Sequence, residues 1–130
     1  MTDDILFLST PQVLAIYDQM LKRFGGSTGI RDVSLLESEL GRPKSTYDGV
    51  YLYENLFDKA AALLQSLLKN YPFVDGNKIT ALTSAAMFLK INGIKLINCH
   101  EDEEQFAISI DNQRLSVEEI SKWLKSHSEN

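Results

Sequence analysis

Two long apolar stretches at helical spacing, residues 56–69 and 77–91, are separated by one short polar turn, and this pair constrains the fold more than any other feature. Leu56, Phe57, Ala60, Ala61, Leu63, Leu64, Leu67 and Leu68 spread around more than one face of the first stretch. Such coverage predicts a central helix packed on several sides. The second stretch runs from about Asn77 to Ile91 and is closed by Asn92-Gly93, a common helix stop. A connection this short brings the two helices back against each other as an αα-hairpin, with the turn at the bend.

That bend, Tyr71-Pro72-Phe73-Val74-Asp75-Gly76-Asn77-Lys78-Ile79-Thr80-Ala81, also carries chemistry. The first N–H groups of a helix have no internal partners and its dipole favours negative charge, so a turn entering a helix is a ready anion site. A glycine there lets backbone approach a phosphate closely, and Asp75 is placed to hold a hard cation such as Mg2+ against it. The bland reading is that Asp75 is a turn or capping residue and that Asn77 bonds its own neighbours.

Helical signals extend on both sides. Ser9 or Thr10 caps a first helix with Pro11 in its opening turn and Val13, Leu14, Ile16, Tyr17, Met20 and Leu21 on its apolar face. Gly25-Gly26-Ser27-Thr28-Gly29 stops it. Asp32 caps a short second helix that turns Leu35, Leu36 and Leu40 inward and ends at Gly41 and Pro43. Residues 44–53, with Tyr47, Tyr51 and Tyr53 around Asp48-Gly49, read as an irregular segment or a short β-hairpin. Residues 94–97 suit an extended piece and 101–110 an acidic-started helix; Ser116-Val117-Glu118-Glu119 is a capping box launching a last helix with Ile120, Trp123 and Leu124. The fold class is mainly α, one domain over residues 1–130.

Bulk properties exclude several classes. The chain has 130 residues, 44% of them apolar, enough for one continuous core. No apolar run approaches the roughly 20 residues a membrane helix needs, and the acidic opening Met1-Thr2-Asp3-Asp4 is unlike a secretory signal. One cysteine forms no internal disulfide, which fits a reducing, cytoplasmic setting. A formal net charge of −5 weighs against nucleic acid as a partner.

The bend is similar to the signature of the Fic/Doc family, and the whole chain resembles the family's small death-on-curing (Doc-type) toxin branch. The resemblance runs over about residues 5–125 through Phe7-Leu8-Ser9, Gly25-Gly26-Ser27, Gly29-Ile30-Arg31-Asp32, Leu35-Leu36-Glu37-Ser38, Arg42-Pro43, the bend itself, Phe88-Leu89 and Asn92-Gly93. The branch's pattern reads His-x-Phe-x-Asp-Gly/Ala-Asn-Lys-Arg-Thr-Ala. The resemblance implies a compact helical bundle around the αα-hairpin, with Phe73 anchoring the turn, Asp75 binding metal, and Gly76, Asn77 and Lys78 holding the nucleotide. It further implies Mg2+ and a nucleoside triphosphate, transfer of a phosphate or nucleotidyl group to a protein hydroxyl, elongation factor Tu as the kind of target, and a small antitoxin as partner.

Two positions depart from the pattern. Tyr71 stands where the family has its catalytic histidine, and Ile79 where it has a phosphate-contacting arginine. Histidine titrates near 6.5 and tyrosine near 10, so at neutral pH only about one tyrosine in a thousand is the basic phenolate. Isoleucine offers no grip on phosphate, whereas arginine offers a charged fork, and Lys78 points about 100° away from position 79 on an ideal helix. These substitutions leave two readings: a transferase with Tyr71 and Lys78 at its catalytic positions and weakened or altered activity, or an inactive descendant that binds nucleotide or protein. Tyr71 then either fills the histidine's volume or is itself a modified hydroxyl. His100 and His127 are the candidates for an alternative base, set against a cap or surface group for His100 and a solvated tail for His127; Cys99 reads as a small buried hydrophobe and Glu101 to Glu104 as a favourable first helical turn. Tyr47, Tyr51 and Tyr53 fall where the family places a substrate-docking flap, or else pack over the core.

Overall fold

The computed structural model describes residues 5–97 and 114–129. Ser9 caps α1 (Thr10–Phe24) through a capping box with Gln12, and Pro11 lies in the first turn. Asp32 caps α2 (Val33–Gly41) by accepting from the Leu35 amide at 2.9 Å. One 3₁₀ turn (Arg42–Lys44) leads into a two-stranded antiparallel hairpin, β1 (Thr46–Tyr47) and β2 (Val50–Tyr51), in register Thr46 to Tyr51 and Tyr47 to Val50. Asp48 and Gly49 at its tip both have positive φ, the backbone of a tight hairpin turn. Helices α3 (Leu56–Asn70) and α4 (Asn77–Ile91) follow, and α5 (Val117–Ser126) opens with the Ser116–Glu119 capping box. The expected helix over 101–110, with Cys99 and His100 before it, lies outside the described residues.

Every residue of α3 from Lys59 to Leu68 is buried. That follows from its place in the middle of the bundle: α4, α5, α2 and the 3₁₀ turn all pack on it, and α1 covers α4. The core is continuous from Val13 and Tyr17 through Leu36, Leu63, Leu64, Leu67 and Phe88 to Ile120 and Leu124. Asn92 closes the far end of α4 with its side-chain amide, which donates to Phe88 and Leu6 carbonyls and accepts from the Leu6 amide. The stretch 95–97 pairs with the end of the chain, the Ile97 amide donating to the His127 carbonyl and the Glu129 amide to Lys95. His127 is therefore no solvated tail residue. It caps α5, its ring stacks on Trp123 at 3.9 Å, and its Nδ1 lies 2.9 Å from the Trp123 carbonyl. An aromatic one turn earlier on the same face drew it inward.

The hairpin is fixed by two cations that periodicity does not mark. Lys59 is fully buried, its Nζ donating to the Tyr53 and Glu54 carbonyls at 2.6 and 3.0 Å and lying 4.1 Å from the Tyr51 ring centre. Arg42 donates to the Tyr53 hydroxyl, the Ala62 carbonyl and Ser66 Oγ. Tyr51 and Tyr53 are thus half-buried struts, while Tyr47 is 76% exposed at the outer edge. Replacing Lys59 by Met leaves two carbonyls without their donor. Urea denaturation is expected to show a loss of about 2–4 kcal/mol, with faster amide exchange across 45–54.

Candidate functional site

The bend between α3 and α4 is built from the inside out. Phe73 is 1% exposed and stacks almost parallel on Tyr17 of α1, ring centres 4.0 Å apart. Asn77 turns inward and closes a two-way clamp on the same residue: its Oδ1 accepts from the Phe73 amide at 3.1 Å and its Nδ2 donates to the Phe73 carbonyl at 2.9 Å. A buried side-chain amide satisfied this way fixes the turn as firmly as a strand pairing would. The Asn77 side chain therefore shapes the backbone, and what the residue presents outward is its place in the first turn of α4.

The glycine-rich loop 25–29 lies alongside. The Tyr17 hydroxyl accepts from the Gly29 amide at 2.6 Å and donates to its carbonyl at 3.1 Å. The Val74 amide donates to the Gly29 carbonyl, and Ile30 and Phe73 form an isolated antiparallel bridge. The Pro72 carbonyl accepts from the Arg31 and Asp32 amides at 2.7 and 3.3 Å, so the start of α2 is strapped to the bend. At Gly26 a Cβ would stand 2.8 Å from Asp75 Oδ2, which explains why only glycine fits beside that carboxylate.

Asp75 is exposed, and each of its oxygens accepts one backbone amide: Oδ2 from Ser27 at 3.2 Å and Oδ1 from Gly76 at 2.8 Å. Each oxygen keeps a further acceptor direction. Among the described residues no three His, Cys, Asp or Glu side chains gather as a metal cage. A single carboxylate suits Mg2+, which keeps several waters and usually binds through one or two carboxylates plus substrate phosphates.

Gly76 is the N-cap of α4, at φ 76°, where a Cβ would also meet Leu21 Cδ2 at 2.9 Å. Because a glycine stands there, no N-cap side chain bonds into the first turn of α4. Lys78 is exposed on this first turn and Ile79 is half-buried behind it. Tyr71 caps the C-terminus of α3 in the left-handed region, φ 46°, and is half-buried. Tyr71, Asp75, Gly76, Asn77 and Lys78 thus belong to one turn, with Asp75 and Gly76 at its tip and Tyr71 at its entrance. Sequence reasoning did not mark Tyr17 or Arg31 as part of it. The signal for Tyr17 is a tyrosine on an apolar helix face about two turns before a glycine cluster.

Gly76→Ala is expected to cost about 1–3 kcal/mol in thermal or chemical denaturation, from the positive φ and the contact with Leu21. In the otherwise folded Asp75→Ala variant, the Ser27 and Gly76 amides are expected to exchange faster while those of α5 stay protected.

Comparison with known proteins agrees with this geometry. The family model described as the Fic/DOC family matches residues 7–89, which takes in α1 through most of α4 and the whole bend. Similar proteins include one named Toxin Doc from Mycolicibacterium smegmatis, 53% identical over 73 residues, covering 56% of this chain and 56% of that one. Another, named Protein kinase doc, from Escherichia phage P1, is 31% identical over 96 residues, 72% of this chain and 74% of its own. The match therefore spans little more than half of the first relative and about three quarters of the second. With α1 to α3, most of α4, the glycine-capped turn and the flanking loop in the matched region, the chain belongs to the Fic/DOC family.

Proposed function

We propose that this chain is the toxin-type member of a toxin–antitoxin pair, that its bend binds a nucleoside triphosphate with Mg2+, and that its transfer of a phosphate or nucleotidyl group to a protein hydroxyl is weakened. The observation that carries this reading is the glycine-capped start of α4 beside the Asp75 carboxylate. A helix start closed by no N-cap side chain suits the phosphate oxygens, and the Lys78 ammonium adds charge on the same turn. Asp75 would hold Mg2+, which neutralises charge on the phosphates when bound. The name of the phage relative favours phosphoryl over nucleotidyl transfer. An elongation factor such as elongation factor Tu is the target class to try first. No helix among the described residues is long and apolar enough to cross a membrane, and a cytoplasmic setting accords with such a target.

The hairpin offers the surface for that protein substrate. Tyr47 and Val50, on short strands whose outer edge is free of any third strand among the described residues, and Leu52 just after them are 76%, 63% and 57% exposed. Buried Lys59 and half-buried Arg42 hold its base, so it stands as a preset shelf.

Weakening follows from Tyr71 and Ile79. A hydroxyl attacking phosphate needs a base titrating near the working pH, and the developing charge needs a fixed cation; positions 71 and 79 supply neither. The same two residues favour a second reading, an inactive descendant that binds nucleotide or an antitoxin without turnover.

The test incubates purified protein with Mg2+, triphosphates labelled at the α or γ position, elongation factor Tu and lysate proteins. Slow labelling is expected, abolished by Asp75→Ala and raised at least about a hundredfold by Tyr71→His with Ile79→Arg. Labelling by the double variant alone selects the inactive descendant. If the double variant is folded and still labels nothing, the proposal for this turn is overturned.

A further inference from the structure

Away from the bend, one acid is buried where only the Asn70 side-chain amide favours its charge. Glu39, on the inner face of α2 against α3, is 3% exposed, and neither carboxylate oxygen has a hydrogen-bond partner. Both oxygens are closed off from solvent, so neither water nor a side chain from another protein reaches them. A carboxylate enclosed without donors is strongly disfavoured, whereas a neutral carboxylic acid tolerates the same place.

The surrounding side chains do not restore the balance. Asp32, seven residues earlier on the same face of α2, adds a second negative charge. On α3, the Asn70 amide is the one neutral group that favours the charged form, while Lys69 is exposed and Lys59 holds the Tyr53 and Glu54 carbonyls at the other end of the helix. Arg42, next in line beyond α2, is engaged with Tyr53, Ala62 and Ser66. The Arg31 guanidinium donates to the Asn70 backbone carbonyl, and on α1 the Tyr17 hydroxyl is taken up by Gly29. Tyr71 follows Asn70, half-buried.

The position of this acid gives it leverage. The residues that open α2, Arg31 and Asp32, donate their amides to Pro72, and Arg31 reaches back to Asn70. The seam that contains Glu39 is therefore the seam that straps the glycine loop and the bend to the end of α3. We propose that Glu39 is a proton-operated latch: neutral, it lets α2 seat on α3 and holds the strap closed; ionised, it loosens α2 and with it the bend.

Burial pushes the Glu39 carboxyl up from its ordinary 4.5 to about 7, with Asp32 pushing the same way and Asn70 partly opposing. An acid held above its unfolded value binds its proton more tightly in the folded chain. The extra stability is complete below 4.5, falls as pH rises, and is gone above about 7. That interval corresponds to about a 300-fold change in the folding equilibrium.

The experiment compares urea denaturation of the full chain and Glu39→Gln between pH 4.5 and 8.5. The native chain is expected to lose up to about 300-fold in folding equilibrium relative to Glu39→Gln across this range. Parallel profiles overturn the proposal. Should Glu39→Gln not fold, carbon-detected NMR of the native chain reads the carboxyl directly. A midpoint near 7 shared by the Arg31 and Asp32 amide shifts supports the latch. A midpoint near 4.5, or strap amides that ignore the titration, overturns it.

Discussion

The geometry of the bend depends on Phe73 being held from both sides. Its ring lies flat on Tyr17, and its backbone is gripped at both polar groups by Asn77. Aromatic stacking supplies the apolar burial, and the side-chain amide supplies the two hydrogen bonds that a buried, irregular peptide would otherwise lack. Tyr17 extends the grip by bonding both backbone groups of Gly29. One aromatic pair and one amide thus fix three segments: the end of α3, the start of α4 and the glycine loop. Asp75 and Gly76 sit at the tip of what these contacts hold, which is how an exposed turn acquires a preset shape.

Much of this was legible in the sequence because it rests on periodicity and caps. The αα-hairpin followed from apolar residues at helical spacing on either side of one short turn, and α3 and α4 end within a residue of where that spacing placed them. Ser9, Asp32 and Ser116 act as the caps their positions suggest. In sequence the hairpin at 46–51 fits either of two forms because its strands are only two residues each, too short for alternation to register. What stayed hidden were polar groups in the interior. Lys59 and Glu39 occupy helical positions that read as apolar-face neighbours or surface charges, and only packing shows that one is satisfied by carbonyls and the other by nothing. His127 reads as tail in sequence because Trp123 reads as core alone, and only the fold stacks the two rings.

In the candidate site the same division holds. Which residues share the turn could be read directly, since they are consecutive. How Asn77 divides its duties could not: the clamp on Phe73 depends on the turn folding back over four residues. The side chain serves architecture, and under the proposed function the contact to an anion would fall to the backbone of α4 and to Lys78. A site whose anion contacts are mainly backbone tolerates change at its side chains better than one built on them. That explains how Tyr71 and Ile79 can sit in a turn of intact shape: under the proposed function they withhold a base and a fixed cation without disturbing the backbone that Asn77 holds. On the proposed reading, binding and turnover rest on different atoms and can separate.

The central claim is therefore that the bend is a preformed anion cradle, whatever its rate of transfer. Two-dimensional amide NMR of the native chain, titrated with a nucleoside triphosphate in excess Mg2+, addresses it most directly. The amides of Gly76, Asn77, Lys78 and Ile79 are expected to shift together and to saturate, while those of α5 stay still. A spectrum in which these four do not move up to millimolar nucleotide, or in which shifts scatter evenly over the surface, would contradict the account.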